Sequence, residues 1–358
     1  MDQLEHKTIV TKPHDLTYSY FLSPNFRRNQ DPKVPTLVLC HGYPDDAYMW
    51  QHVVPDLLKS PYPFVLVEIL GFGGSSKPTD PPLYNYKQQA NSIAQILDRE
   101  GVGNNVIPIG HDWGSATCQR FYLYHKSRCV GLVLLSLAYQ IPSKDAFDLK
   151  TANEQTTKRF GYPQWEYWNF FTAADAPTLM EKHPDRFYEV MHGVYPSDEG
   201  DEPKGRDIWM RKMFDVPNGM REYITGTGKY KDFTVDLHSY ARDGNLRKQL
   251  ERRWTRDGMA GPVCYYHTLK NNTNLEDEKT IMQRKDGAKI EVPHLYIGMT
   301  SDWVCRTDLT KDAIEAGLVE DVEEREIDAH HWCLYDPARG KEAAGIIVEW
   351  IDRKFGSK

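Results

Sequence analysis

Five residues near the end of the first third of the chain have the types and spacing of a reaction centre. Gly110-His111-Asp112-Trp113-Gly114 keeps the G-x-S-x-G spacing of a nucleophile elbow, with aspartate in the place of serine. The flanking glycines have a steric reason, because the nucleophile of an elbow occupies a strained turn that side chains two positions away would obstruct. The turn also sets Asp112 at a helix N-terminus, where partial positive charge favours an ionised carboxylate and any oxyanion formed on it. Taken alone, the five residues also describe a helix-capping aspartate between turn glycines; their position after the third of a series of buried strands favours the nucleophile. Ser115 lies within the turn-helix and is no rival. His41-Gly42-Tyr43-Pro44 follows the first buried strand, where the amides of Tyr43 and Trp113 can together receive an oxyanion, and Pro44 invites a cis Tyr43–Pro44 bond. Asp302 stands at the end of the run Leu295 to Ser301, and His331 lies in Asp328-Ala329-His330-His331-Trp332, just past the last strand. Nucleophile, acid and histidine thus come in a workable order at strand ends, where catalytic groups of parallel sheets gather. A carboxylate nucleophile suits displacement at saturated carbon to give an alkyl ester, whereas serine suits acyl transfer.

The elements that must position these groups are legible as short runs. Thr36 to Cys40, Phe64 to Leu70, Asn105 to Gly110 and Val130 to Ser136 are apolar on both faces, as buried parallel strands are. Ala47 to Leu58, Tyr86 to Arg99 and Gly114 to Lys126 space their apolar residues by three or four, as helices do. Thr17 to Leu22 alternates with period two and is expected to be an edge strand. Strands alternating with helices predict an α/β fold, a mostly parallel sheet with helices on both faces. From about residue 139 to 290 the texture changes to one rich in Trp, Tyr, Lys and Asp with no long β-branched run. Strand-like runs return at Val292 to Gly298 and Val322 to Asp328, followed by an amphipathic helix, Gly340 to Lys354. The expected division is a core of residues 1–138 and 291–358 interrupted by a mainly helical cap, 139–290.

Composition narrows the function. With 358 residues the chain is long enough for a large core, and a formal net charge of −7 gives no basic excess to neutralise phosphates, so nucleic acid is not an expected partner. No basic region followed by an apolar run opens the chain, and its longest apolar stretch, Val130 to Ala138, is broken by Ser136 and far too short to span a membrane. The six cysteines are scattered without a C-x-x-C pair, which fits a reduced, cytoplasmic protein. The ending Ser357-Lys358 is not a peroxisomal address, and Asn271-Asn272-Thr273 is taken as a chance sequon. Gly71-Phe72-Gly73-Gly74-Ser75-Ser76-Lys77-Pro78 lacks phosphate-loop spacing, as does Gly226-Thr227-Gly228-Lys229. Neither H-E-x-x-H nor paired cysteines occur, so no metal and no cofactor are expected.

Together these residues resemble the epoxide hydrolase branch of the α/β-hydrolase fold. The resemblance runs from about Thr17 to the final helix and rests on His41 to Pro44, Gly71 to Pro78 and Gly110 to Gly114. It implies Asp302, in Ser301-Asp302-Trp303-Val304, as the acid and His331, directly before Trp332, as the general base. It further implies two cap tyrosines that protonate the epoxide oxygen. Ala260-Gly261-Pro262-Val263-Cys264-Tyr265-Tyr266 is similar to the family motif R-G-x-x-N-W-Y and puts Tyr266 in the last position, with Tyr265 as competitor. Tyr167, in Trp165-Glu166-Tyr167-Trp168-Asn169, is the choice for the other, with Tyr162 as competitor.

The expected chemistry follows. Asp112 attacks an epoxide carbon while Tyr167 and Tyr266 donate to the ring oxygen; water activated by His331, oriented by Asp302, then cleaves the ester to a vicinal diol. Tyr43 and Trp113 form the oxyanion hole, and His41, Pro44, His111 and Trp168 are expected to line the substrate site, with His41 more structural than basic. The expected partners are a small apolar epoxide and water. Three other readings use the same scaffold: a haloalkane dehalogenase-like hydrolase, in which Trp113 would hold the halide; a biosynthetic cyclase, in which an internal hydroxyl replaces water; and a non-catalytic receptor.

Overall fold

The computed structural model describes residues 1–26, 33–195 and 208–356. Its strands, in chain order, are β1 (Glu5–Thr11), β2 (Leu16–Leu22), β3 (Thr36–Cys40), β4 (Phe64–Glu68), β5 (Val106–His111), β6 (Leu132–Leu135), β7 (Gly193–Val194), β8 (Asp236–Leu237), β9 (His294–Met299) and β10 (Val322–Ile327). Eight of them form one sheet in the order β1-β2-β4-β3-β5-β6-β9-β10. β1 and β2 run antiparallel to their neighbours, and every pairing from β4 to β10 is parallel. This is the α/β-hydrolase fold, with helices on both faces of a mostly parallel sheet.

The apolar runs became strands because both their faces are covered: every residue of β3, β4, β5 and β6 is buried. The helix Trp113–Tyr124 packs against β3, β5 and β6, and the helix Tyr86–Arg99 packs against it and against β1; the final helix, Pro337–Phe355, packs against β9, β10 and the turns Ala47–His52 and Val54–Leu57. Two expectations need correction. The run at Thr17 to Leu22 is not at the edge, because β1 pairs outside it from Glu5↔Leu22 to Thr11↔Leu16. Ala47 to Leu58 is not one helix. Pro55 has no N–H to donate to the preceding turn and would crowd its carbonyls, so a 3-10 turn, Ala47–His52, stops and a helical turn restarts at Val54.

Strand register places the site. Cys40 pairs with Gly110, His111 with Leu135, Leu135 with Ile297 and Met299 with Ile327. The residues that follow these strands therefore emerge side by side along one edge of the sheet. They include the loop at 41–44, Asp112, Ser136, Asp302 and His331. Between β6 and β9 the described residues fold mainly into helices, among them Leu149–Phe160, Pro184–His192, Gly244–Asp257 and Cys264–Lys270, with β7 and β8 as a two-residue antiparallel pair. All six cysteines are free and buried. Among the described residues, no helix is long and apolar enough to cross a membrane.

Candidate active site

Asp112 sits on the turn between β5 and the helix Trp113–Tyr124 with φ 53° and ψ −123°, a backbone conformation that ordinary residues rarely adopt. The surrounding glycines are the reason it can. A Cβ on Gly110 would collide with the carbonyl of Gly114, one on Gly114 with the carbonyls of Cys40 and His41, and one on Gly42 would lie 2.5 Å from the Cβ of Asp112. Backbone cannot yield as a flexible side chain can. Gly114→Ala is therefore expected to lower unfolding stability by on the order of 3 kcal/mol. Urea denaturation checks this, and a midpoint equal to the parent's would contradict the packing described.

The Asp112 carboxylate faces both ways. Its Oδ1 accepts the Tyr43 N–H at 2.8 Å, and the Trp113 N–H also points at the group. Its Oδ2 stands 3.7 Å from His331 Nε2. The Tyr43–Pro44 bond is cis. Burial pushes the Asp112 pKa above the ordinary carboxylate value, against the opposing pull of His331 and the two amides. Asp112 keeps 16% of its side chain exposed, against 5% for His331 and 0% for Asp302, so it is the most accessible of the three.

Behind it, His331 Nδ1 donates to Asp302 Oδ2 at 2.6 Å. Asp302 Oδ1 accepts the N–H groups of Val304 and Cys305 at 3.0 and 2.8 Å. Burial alone would raise the Asp302 pKa, but His331, Ser136 and the Cys305 amide hold it below the ordinary range. Burial alone would likewise lower the His331 pKa, but Asp302 and Cys305 hold it well above its ordinary value. The arrangement suits a nucleophile, an oxyanion pocket and an oriented proton acceptor.

Over this face lie aromatic rings from the helical segment. Tyr266, on Cys264–Lys270, meets Trp113 edge-on at 5.2 Å, Tyr43 at 5.1 Å and Tyr167 at 5.9 Å between ring centroids. Tyr167 immediately precedes the helical turn Trp168–Phe171, and its N–H donates to Phe214 O. Burial pushes both phenols well above their ordinary pKa, with Asp112 adding to the rise, so each keeps its proton to donate. The two competitors point elsewhere. Successive residues on a helix diverge by about 100°, and the Tyr265 hydroxyl donates to Gln89 Oε1 at 2.8 Å and lies 3.0 Å from Leu70 O. The Tyr162 hydroxyl donates to Trp303 O at 2.8 Å and accepts from Arg306.

Comparison with known proteins gives the chain a family. Residues 35–192 match the family model described as the alpha/beta hydrolase fold. Over 286 residues the chain is 33% identical to epoxide hydrolase B of Mycobacterium tuberculosis, covering 75% of this chain and 77% of that one. The chain belongs to the epoxide hydrolase family. It is also 22% identical to epoxide hydrolase srdG of Neurospora crassa over 361 residues, 97% of this chain and 96% of the relative. Among solved structures, epoxide hydrolase A from Mycobacterium thermoresistibile superposes with a TM-score of 0.73 at 20% identity, over 97% of this chain and 98% of that one, a likeness of fold.

Within this member of the epoxide hydrolase family the remaining expected residues have distinct places. His41 is fully buried; its Nδ1 meets Gly42 O at 2.9 Å and its Nε2 accepts from the Ile69 N–H at 3.2 Å. It braces the 41–44 loop and has no ring nitrogen left for a ligand, which corrects its assignment to the substrate site. His111 is also fully buried, with Nε2 at 2.9 Å from His331 O, and burial pushes its pKa down to about 3. It is a neutral support beneath the general-base candidate, again not a lining residue. Trp168 stacks obliquely on Trp113 and edge-on to Tyr266 at 6.1 and 5.4 Å, inside the aromatic cluster. Pro44 contributes its carbonyl, which accepts from Arg253 Nη2 at 2.6 Å and from the Trp254 indole at 3.1 Å. Arg253 is buried and also pairs with Asp46 at 2.7 Å.

Two contributors were not singled out from the sequence. Cys305 stands beside the Asp302–His331 pair, and the ligand atoms of the three lie within 4.8 Å of one another. Two of those atoms, Asp302 Oδ2 and His331 Nδ1, are hydrogen-bonded to each other at 2.6 Å. Ser136 touches both members of the pair. Its signal was present as the one polar residue interrupting the longest apolar stretch of the chain.

Proposed function

We propose that this protein opens an apolar epoxide to a vicinal diol through an ester on Asp112, with residues 139–290 forming a lid over a core of 1–138 and 291–358. One observation carries the reading. Asp112 offers Oδ1 to the Tyr43 amide at 2.8 Å and Oδ2 toward His331 at 3.7 Å, with the Tyr266 ring packed on Tyr43 and Trp113 and the Tyr167 ring beside it.

In the first step Oδ2 attacks a ring carbon in line. A carbon–oxygen bond forms to Asp112, the ring carbon–oxygen bond breaks, and the departing oxygen takes a proton from Tyr167 or Tyr266. In the second step His331 Nε2 takes a proton from water as the water oxygen adds to Cγ of Asp112. Negative charge collects on Oδ1, which is the oxygen already held by the Tyr43 and Trp113 amides. The bond from Cγ to Oδ2 then breaks and the imidazolium protonates the leaving alkoxide. Oδ2 departs in the diol, and the water oxygen replaces it in the enzyme.

A single turnover in heavy-oxygen water tests this. The label is expected in the Asp112 carboxylate, with an unlabelled diol from the first turnover. Label in that first diol and none in Asp112 would falsify the covalent route, and halide release from alkyl halides with no diol from any epoxide would replace it with the dehalogenase reading.

Proton accounting supplies a second check. Between Asp302 and Asp112, with its pKa held above the ordinary value, the resting imidazole is assigned the charged form in this proposal. Ester formation neutralises Asp112 and removes one of those two anions, which weakens the hold on the His331 proton when a base is needed. That proton makes up for the one the tyrosines pass to the alkoxide. Alkylation near neutral pH is therefore expected to take up no net proton, while ester hydrolysis speeds up with rising pH and then levels off. An indicator dye that records one proton consumed per ester formed would mean that His331 starts neutral.

A further inference from the structure

The end of β6 carries a conformation that needs a reason. Ser136 has φ 65°, in the left-handed region where a side chain is strained and glycine is at ease, and it is fully buried. Its backbone is locked there: its N–H donates to Ile297 O at 2.9 Å, and its carbonyl accepts the Tyr296 hydroxyl at 2.9 Å. Its hydroxyl donates to Asp302 Oδ2 at 2.7 Å and lies 3.1 Å from His331 Nδ1.

From this geometry we infer that Ser136 is a positioning residue of the Asp302–His331 pair, setting how strongly Asp302 holds the imidazolium. The inference rests on the proposed role of His331 as the base of ester hydrolysis. The physical argument concerns a single oxygen. Asp302 Oδ2 accepts from both His331 and Ser136, so the Ser136 hydroxyl draws off part of the charge that would otherwise bind the imidazolium proton. Ser136 thereby lowers the basicity of Asp302, in line with its share in depressing the Asp302 pKa. It also fixes the carboxylate plane, together with the Val304 and Cys305 amides on Oδ1. A glycine at 136 would relax the backbone but forfeit both effects.

Two variants separate the hydroxyl from the backbone. Ser136→Ala removes the hydroxyl and keeps the strained φ; Ser136→Gly removes the hydroxyl and suits that φ, so the fold is secure in at least one. Both are expected to slow ester hydrolysis roughly tenfold, the scale of one hydrogen bond to a charged group. Ester formation should stay within about twofold of the parent in both. Without the competing donor Asp302 grips the imidazolium more tightly, so the acid limb of the hydrolysis profile should move up by about half a pH unit. Equal slowing of both half-reactions with an unmoved limb would reduce Ser136 to structural support, and parental behaviour of Ser136→Gly would make the hydroxyl irrelevant. Proton NMR of the His331 Nδ1–H in the resting enzyme reads the same contact without any substrate. Its resonance and its titration should shift in both variants, and an unchanged signal would overturn the inference even if no epoxide were turned over. Failure of the parent to form an ester, with the NMR shift intact, would instead count against the proposed reaction.

Discussion

Mixed with an epoxide that the parent enzyme turns over, His331→Gln is expected to accumulate a stable ester. Nothing in the first step needs the imidazole as a base. Attack by Asp112 calls for an ionised carboxylate, which the Tyr43 and Trp113 amides support, and for phenols that keep their protons. The second step needs a group to take a proton from water, and removing such a group costs typically a hundredfold to ten-thousandfold, here taken as about a thousandfold. Glutamine is near histidine in size and keeps a hydrogen-bonding head for Asp302, so the site should hold its shape. Intact-mass spectra should show the protein heavier by the whole mass of the epoxide, and peptide mapping should place the increment on the segment containing Asp112. A variant that is inactive but carries no adduct would mean that His331 also serves the first step.

The second large effect falls on that first step. Tyr167→Phe with Tyr266→Phe removes both proposed donors while leaving their rings in the aromatic cluster. Loss of one donor to a developing oxyanion costs roughly a hundredfold to a thousandfold. In the proposed step the two phenols serve one oxygen, so the effects will not simply multiply. Each single variant is expected to slow ester formation by about tenfold to a hundredfold, and the double variant by at least about a thousandfold. Stopped-flow tryptophan fluorescence can follow this, because Trp113 lies against Tyr266 and Trp168 lies against both phenols. Tyr265→Phe and Tyr162→Phe are the controls, since their hydroxyls serve backbone and side-chain partners away from Asp112. A double variant that forms ester at the parental rate would remove the phenols from the mechanism.

The parts of the fold that could be read from the chain are those buried on both sides. β3 to β6 contain little but apolar residues because water reaches neither face, and such runs stand out without knowledge of their partners. β1 is a different case. It lies at the edge, most of its residues are exposed or half-exposed, and Glu5, His6 and Lys7 carry no apolar signal, so it went unread and left β2 misplaced as the border strand. Spacing alone could not choose between Tyr265 and Tyr266, because neighbours on a helix differ only in where the helix is aimed, which packing decides. The candidate triad was accessible for another reason: its members follow directly after strands, so local pattern and chain order suffice. His41 and His111 were read as lining residues because a histidine beside a reactive group looks useful, and only tertiary contacts reveal that backbone atoms claim them. Ser136 was visible as an interruption and unreadable as anything more, since its partners lie more than 160 positions downstream.

Two donors from the helix Gly244–Asp257 converge on the carbonyl of Pro44. That atom belongs to the residue after the one whose amide holds Asp112 Oδ1. Substrate must enter and diol must leave, and any excursion that lifted this helix away from the 41–44 loop would let go of Pro44. Loosening there slackens the grip on the carboxylate one residue away. In the proposed reaction, the contact of this helix with Pro44 would thus tie the entry path mechanically to the amide that holds the Asp112 carboxylate.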